Sequence, residues 1–191
     1  MENETFKGGF FWFAVTTRSR QEKTAALMLE ALGLQPFLPT TAELHQWSDR
    51  KQVVHLPLFP GYLFVHMNSS PEATLSVRKV PAIVDFVGNH SGPLPIPDCE
   101  IEDVRTVLAR GVPCSPHTYL QAGDRVRVVR GALAGIEGTF VRNGSKGQLI
   151  LSIEMIQRSL ALTVLQDDVE PLTAAPGGIS KSPPEPSRLA S

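Results

Sequence analysis

Short segments punctuated by glycine make up the C-terminal third of the chain, and this pattern limits its possible folds more than any other feature. After Gly123 the chain reads as brief strand patterns separated by turn residues, at residues 125–130, 139–142, 148–153 and 159–165, with an Asn143-Gly144 turn between the second and third. About five short strands in about 50 residues can bury a core only by curling into a small barrel. We therefore predict a five-stranded β-barrel here.

The N-terminal part begins with a strand pattern followed by a helix pattern. Residues 11–17 are aromatic and β-branched, which favours a buried strand. Residues 19–22 have the form of a capping box, so we expect a helix to start there. Its apolar residues recur at helical spacing and should form one buried face: Ala25, Met28, Leu29 and Leu32. Gly33 is the expected stop.

Prolines and alternating apolar residues define the middle of this first domain. A strand near Phe37 leads to a predicted hairpin, in which residues 44–47 and 52–56 flank a polar turn. After Pro60 and Gly61 the chain is free to run as a strand. Alternation places Tyr62, Phe64 and His66 on one face of that strand and Leu63, Val65 and Met67 on the other. Both faces are largely apolar.

Two further helices complete the domain. Ser70-Pro71-Glu72 has a cap, a proline at the first helical position and an early acid, and the helix should end near Lys79. Residues 82–87 are predicted as a strand, and residues 101–108 as an amphipathic helix that ends at Gly111. The sequence thus predicts an α+β fold, with an N-terminal antiparallel sheet flanked by helices and the small barrel after it.

Changes in composition suggest the domain boundaries. The proline-containing stretch that begins at Gly111 lacks periodicity, which is typical of a linker. We predict one domain at residues 10–111, a linker at 112–118 and the barrel at 119–172. Residues 173–191 consist largely of Pro, Gly, Ser and Ala and are expected to form a disordered tail.

Composition and motif content exclude several classes of function. No apolar run approaches the roughly 20 residues that cross a bilayer, so we expect a cytoplasmic protein without membrane contact. We also expect a monomer. The two cysteines have no partner ligands at metal spacing, and the net charge of -1 argues against a protein that coats nucleic acid. No nucleophile motif or phosphate loop occurs, since Gly144-Ser145-Lys146-Gly147 reverses the required order. We predict no catalysis, metal or cofactor.

Two stretches of sequence resemble one known family. Residues 123–140 look like a KOW motif, in which two strands flank a glycine-bounded loop. Trp12 in the first strand, the helix after it and Phe59-Pro60-Gly61-Tyr62-Leu63-Phe64-Val65 resemble the N-terminal (NGN) domain of the NusG family. In this order the two resemblances cover residues 10–172. The sequence around Pro60 and the stretch Arg78-Lys79-Val80-Pro81 are more similar to the specialised paralogues of the UpxY and RfaH type.

The resemblance implies a transcription elongation factor that modulates pausing, termination or antitermination, here as an operon-specific antiterminator. It implies that Tyr62 and Phe64, flanked by Val104 and Leu108, bind the clamp helices of the largest subunit of RNA polymerase. The positions implied to contact the non-template DNA strand are Arg18, Arg20, Arg78 and Lys79. The barrel, an SH3-like KOW domain, is implied to bind ribosomal protein S10 or Rho, with Leu133, Ile136, Met155 and Ile156 as the candidate contacts.

Each functional interpretation has a plainer alternative. If the sheet is covered on both faces, Tyr62 and Phe64 belong to the core, as Leu133 does if it fills the barrel. The basic residues are equally compatible with solvated charges at helix ends. A ribosome-associated or RNA-binding KOW protein is the main rival function, but residues 119–172 hold six Lys or Arg against six Asp or Glu, which disfavours it. A housekeeping pause or termination factor would share the same fold.

Overall fold

The computed structural model describes residues 9–46, 51–118, 123–143 and 146–172. Trp47, Tyr119, Gly144 and the predicted tail at 173–191 lie outside these ranges. The helices are α1 (Glu22–Ala31), α2 (Pro71–Arg78) and α3 (Asp98–Ala109). The strands are β1 (Phe10–Thr17), β2 (Gln35–Phe37), β3 (Thr40–Gln46), β4 (Lys51–Pro57), β5 (Tyr62–Asn68), β6 (Ile83–Phe86), β7 (Gly88–Asn89), β8 (Gly92–Pro93), β9 (Pro95–Ile96), β10 (Cys114–Thr118), β11 (Asp124–Val128), β12 (Glu137–Asn143), β13 (Lys146–Ile153), β14 (Arg158–Val164) and β15 (Val169–Pro171).

An antiparallel sheet of order β2-β5-β1-β6, to which β9 adds by pairing with β1, forms the N-terminal unit. Side chains alternate across it, as the sequence of β5 predicts. Leu63, Val65 and Met67 are fully buried on one face, where they join Ala25 and Leu29 of α1 in one apolar cluster. Helices α1 and α2 therefore cover this face of the sheet.

The opposite face of the sheet is covered by α3 and by the C-terminal barrel. Trp12 and Phe64 belong to an apolar cluster that also contains Val104 of α3 and residues of four barrel strands. We call this set the interdomain cluster; its buried members are Trp12, Ala14, Leu58, Phe59, Phe64, Ile96, Ile101, Val104, Val107, Val126, Val128, Leu133, Ile136, Phe140, Leu149, Leu151, Ile153, Ile156, Leu160, Leu162 and Val164. The sheet is thus sandwiched between two apolar layers.

The barrel strands pair in the order β10-β14-β13-β12-β11-β15, with antiparallel pairing throughout. The predicted α+β class and strand-rich C-terminal unit are confirmed. The strand count differs, because Cys114–Thr118, inside the predicted linker, pairs with β14 and adds a sixth strand at the sheet's edge. The two prolines that suggested a linker lie in or beside an edge strand, where the missing N–H does little harm.

Helix α1 differs from its prediction in how it begins and in which residues it buries. It starts at Glu22, and no side chain caps it, so the predicted capping box is wrong. Glu22 instead accepts a hydrogen bond of 2.9 Å from the backbone N–H of Gly61. Met28 and Leu32 are 38% and 53% exposed, whereas both were expected on the buried face.

Helix α2 follows its prediction closely. The Ser70 hydroxyl accepts from the N–H of Ala73 at 3.2 Å, Pro71 occupies the first turn, and the helix ends at Arg78. Among the described residues, no helix has the length and apolar character needed to cross a bilayer.

Candidate functional site

Phe64 of β5 lies in the interdomain cluster and Tyr62 packs against it, and the barrel contacts Tyr62 directly. Phe64 is fully buried, with its ring centroid 5.9 Å from that of Phe59 in an edge-on arrangement and 6.2 Å from that of Phe37. Tyr62 is half-buried, and the guanidinium of Arg158, on strand β14, lies 5.9 Å from its ring centroid. A cation over an aromatic face at this distance is a favourable contact.

Helix α3 carries the other two residues implied to bind polymerase. Val104 is 1% exposed and Leu108 is half-buried against the same cluster. Arg105 lies beside them and crosses two rings of the sheet face, with its guanidinium carbon 4.6 Å from the Trp12 centroid and 5.0 Å from that of Phe37. Arg105 was not a predicted site residue.

The apolar residues predicted as the barrel's binding spot belong to the same cluster. Leu133, Ile136 and Ile156 are nearly fully buried, and Met155 is half-buried against it. We call the arrangement in which the barrel packs on the sheet the closed form. In this form the residues predicted to bind polymerase and the residues predicted to be the barrel's binding spot belong to one continuous apolar layer.

The four basic residues lie apart from this layer, at the ends of α1 and α2. Arg18, Arg20 and Lys79 are exposed and form no ion pair within the described residues. The N–H of Arg18 donates to the carbonyl of Ala82 at 2.9 Å. This bond joins the loop between β1 and α1 to the segment between α2 and β6. Arg78 differs from the others, because its Nε lies 3.0 Å from the Asp85 carboxylate and its guanidinium carbon 5.9 Å from the Phe86 ring.

Carboxylates gather where α3 meets the barrel. The N–H of Glu154 donates to a carboxylate oxygen of Glu100 at 3.2 Å, across the two units. A cavity of about 430 Å³ lies beside this contact, and it is lined by Glu100 and Asp103 of α3 and by Arg125 and Glu137 of the barrel. We call these four residues and Glu154 the seam.

The seam perturbs two of its own acids. Burial, reinforced by the charge of Glu137 and opposed by Arg125, raises the pKa of Asp103 to about 6. Burial also raises the pKa of Glu100, although the hydrogen bond from Glu154 lowers it in part. Glu137 itself is held by Arg127, which bonds its carboxylate, and by Arg125 at 4.0 Å.

The sequence offered no signal for the seam. Its acids lie on the polar side of an amphipathic helix, at the start of a strand and in a turn, where charged residues ordinarily face solvent. Only the docking of the barrel brings them together.

Comparison with known proteins places the chain in a family context. Residues 10–105 match the family model described as "NusG: Transcription termination factor nusG". The chain is 30% identical to the transcription termination/antitermination protein NusG of Lactococcus lactis, over 85% of this chain and 94% of that protein. It is 33% identical to the protein of the same name from Thermus thermophilus, over 77% of this chain and 90% of that protein.

One solved structure shares the fold over nearly the full length. It bears the description "Domain interaction in Thermotoga maritima NusG" and aligns with a TM-score of 0.52 at 21% identity, over 86% of this chain and 98% of that one.

Proposed function

The chain belongs to the NusG family of transcription termination/antitermination proteins, and we propose that it binds RNA polymerase through the sheet face that its own barrel covers. Family members are transcription factors and not enzymes. The docking residues in this proposal are Tyr62, Phe64, Val104 and Leu108, and their partner is the clamp helices of the largest polymerase subunit.

One observation carries the proposal. The apolar layer on this side of the sheet is covered by the barrel as well as by α3. Trp12 and Phe64 are 4% and 0% exposed with the barrel in place. If the barrel moves away, the sheet presents a contiguous apolar face with aromatic anchors, which is the composition of a protein-binding surface. Tyr62, over whose ring Arg158 of the barrel lies, is the predicted polymerase contact that this movement would uncover most directly.

Polymerase and barrel therefore compete for one face in this account. The closed form buries Phe64 and places Arg158 over the half-buried Tyr62, so polymerase binds the open form and draws the equilibrium toward it. Opening also frees Leu133, Ile136, Met155 and Ile156, the proposed contacts of the barrel for a second protein such as ribosomal protein S10 or Rho. By linkage, binding at either surface favours binding at the other.

The remaining parts of the proposed role follow the resemblance. Arg18, Arg20 and Lys79, whose charges have no partner in the described residues, are suited to hold phosphates of the non-template strand. Arg78 can join them only by exchanging Asp85 for a phosphate. We further propose an operon-specific antiterminator in the cytoplasm, with residues 10–111 and 119–172 as its domains.

Loosening the barrel should strengthen polymerase binding in the full chain. Met155→Asp places a charge against the interdomain cluster from a half-buried position, which opposes closure because a buried unpaired charge is costly. We expect it to raise affinity for core polymerase severalfold in a pull-down or fluorescence titration. Adding Tyr62→Ala should remove this gain.

The matched control is Leu165→Asp, the same kind of change at a barrel residue that is 62% exposed and outside the cluster. It should leave the affinity unchanged. Equal affinity of wild type and Met155→Asp, with Tyr62→Ala silent in both, would refute the docking surface.

A further inference from the structure

The contact between α3 and the barrel has a polar half as well as an apolar one. On the apolar side, Val104 and the barrel side chains share the interdomain cluster. On the polar side, closure places Glu100 and Asp103 of α3 against Glu137 of β12 and Glu154 of the turn between β13 and β14. An apolar contact favours closure at any pH, whereas a contact among carboxylates depends on their protonation.

The charges that face Asp103 come from both units. Glu100 lies one turn away on α3, Arg125 reaches from β11, and Glu137 reaches from β12. Arg127 is already engaged by Glu137, so Arg125 is the cation that bears on Asp103. Four carboxylates thus share two guanidinium groups across the seam, and ionised acids in excess repel one another.

The direction of the effect follows from linkage. Asp103 has a pKa of about 6 in the closed form, and it should return toward its ordinary value once the barrel no longer buries it. A group whose pKa is raised in one state stabilises that state when protonated, so closure is favoured at low pH and weakened as pH rises toward about 6. Above that pH, Asp103 is ionised in both forms, and the free-energy cost of closing the chain no longer changes with pH. Glu100, with its pKa raised by the same burial, acts in the same direction.

We propose that the seam is a proton-sensitive latch: the carboxylates of Glu100, Asp103 and Glu137 oppose closure when ionised, and protonation of Asp103 holds the barrel against the sheet. At neutral pH the ionised carboxylates destabilise the closed form, so that a partner can compete with the barrel for the sheet. Its consequence for transcription rests on the proposed polymerase site, but the latch itself is a property of the chain alone.

The latch can be measured without polymerase. Donor and acceptor dyes are attached at Leu27→Cys on α1 and Leu165→Cys on the barrel, both strongly exposed positions, in a Cys99→Ser, Cys114→Ser background. Single-molecule energy transfer then gives the ratio of open to closed chains from pH 5 to pH 7.5. Linkage allows roughly a tenfold rise in this ratio over the interval, and since Asp103 is only half-buried we expect about fivefold.

Asp103→Asn provides the decisive variant, because it keeps the side-chain shape and removes the charge. It should hold the chain more than about tenfold more closed than wild type at pH 7.5, because at that pH the whole pKa shift of Asp103 opposes closure in the wild type, and it should remove most of the pH dependence. The control is Glu30→Gln, an exposed carboxylate of α1 outside the seam, which should behave as wild type does.

Three results would overturn the latch: a ratio that does not change with pH, a pH dependence that persists in Asp103→Asn, or an Asp103→Asn chain that is more open than wild type. None of them bears on polymerase binding. Conversely, a closed chain that still binds polymerase would overturn the proposed docking surface and leave the latch standing.

Discussion

Glu22 joins the first helix to the turn that precedes strand β5. Its side chain is 7% exposed, and its carboxylate accepts from the N–H of Gly61 at 2.9 Å. Gly61 has a φ of +83°, a left-handed conformation that glycine adopts without steric cost. The carboxylate therefore satisfies a backbone donor in a turn that also receives β1, since the N–H of Thr17 bonds the carbonyl of Gly61.

Removing that acceptor should destabilise the N-terminal unit. Glu22→Ala leaves the Gly61 N–H without a partner, and we expect a loss of about 1 to 3 kcal/mol in the free energy of unfolding. Glu22→Gln retains an oxygen acceptor and should lose less. The measurement is urea unfolding of the three proteins, with Glu30→Ala as an exposed control on the same helix. A Glu22→Ala chain as stable as the control would show that water or another group replaces the carboxylate.

Among the helices and strands, the alternation of side chains across the sheet could be predicted from the sequence. The end of α1 and the residues that it buries could not. The two faces of β5 follow from a period of two residues, which holds wherever a strand forms. The face of α1 was misjudged, because the helix ends at Ala31 and Leu32 is already its cap. Met28 lies about 60° around a helix of 3.6 residues per turn from Ala25, at the margin of the buried stripe.

A pair of leucines tests this corrected face. Leu29 is fully buried and Leu32 is 53% exposed, although both fell on the face predicted from spacing. We expect Leu29→Ala to cost about 2 to 5 kcal/mol and Leu32→Ala to change stability by no more than about 0.5 kcal/mol. Thermal or urea unfolding decides between the two; comparable losses at both positions would mean that Leu32 packs against the protein in solution.

The candidate site could be predicted only in part from the sequence, because part of it depends on how the two units dock. Tyr62, Phe64, Val104 and Leu108 could be named because the family resemblance marks them, and the barrel residues likewise. That both sets meet in one cluster depends on how two units dock, and strand or helix periodicity within each unit carries no information about that. The acids of the seam are products of the same docking, whereas Arg105 over Trp12 and Phe37 depends on how α3 packs on the sheet within the N-terminal unit.

On the scale of the whole molecule, the two units share one apolar layer while the basic residues remain outside it. The closed form hides both proposed protein-binding surfaces and leaves Arg18, Arg20 and Lys79 exposed. The proposed order of events is therefore an initial contact through exposed charges, followed by opening and exchange of the barrel for polymerase on the sheet. The carboxylates of the seam set how readily that exchange occurs.

Holding the chain closed tests this exchange most directly. Native Cys99 lies on α3 next to Glu100, and Glu154, whose N–H bonds Glu100 across the seam, is exposed. A Glu154→Cys, Cys114→Ser chain treated with a short bis-maleimide should be joined in its closed form. The same chain treated with N-ethylmaleimide is modified at both sites but free to open. We predict that the joined chain fails to bind core RNA polymerase and that the control binds it; equal binding by the two would contradict the claim that polymerase uses the face beneath the barrel.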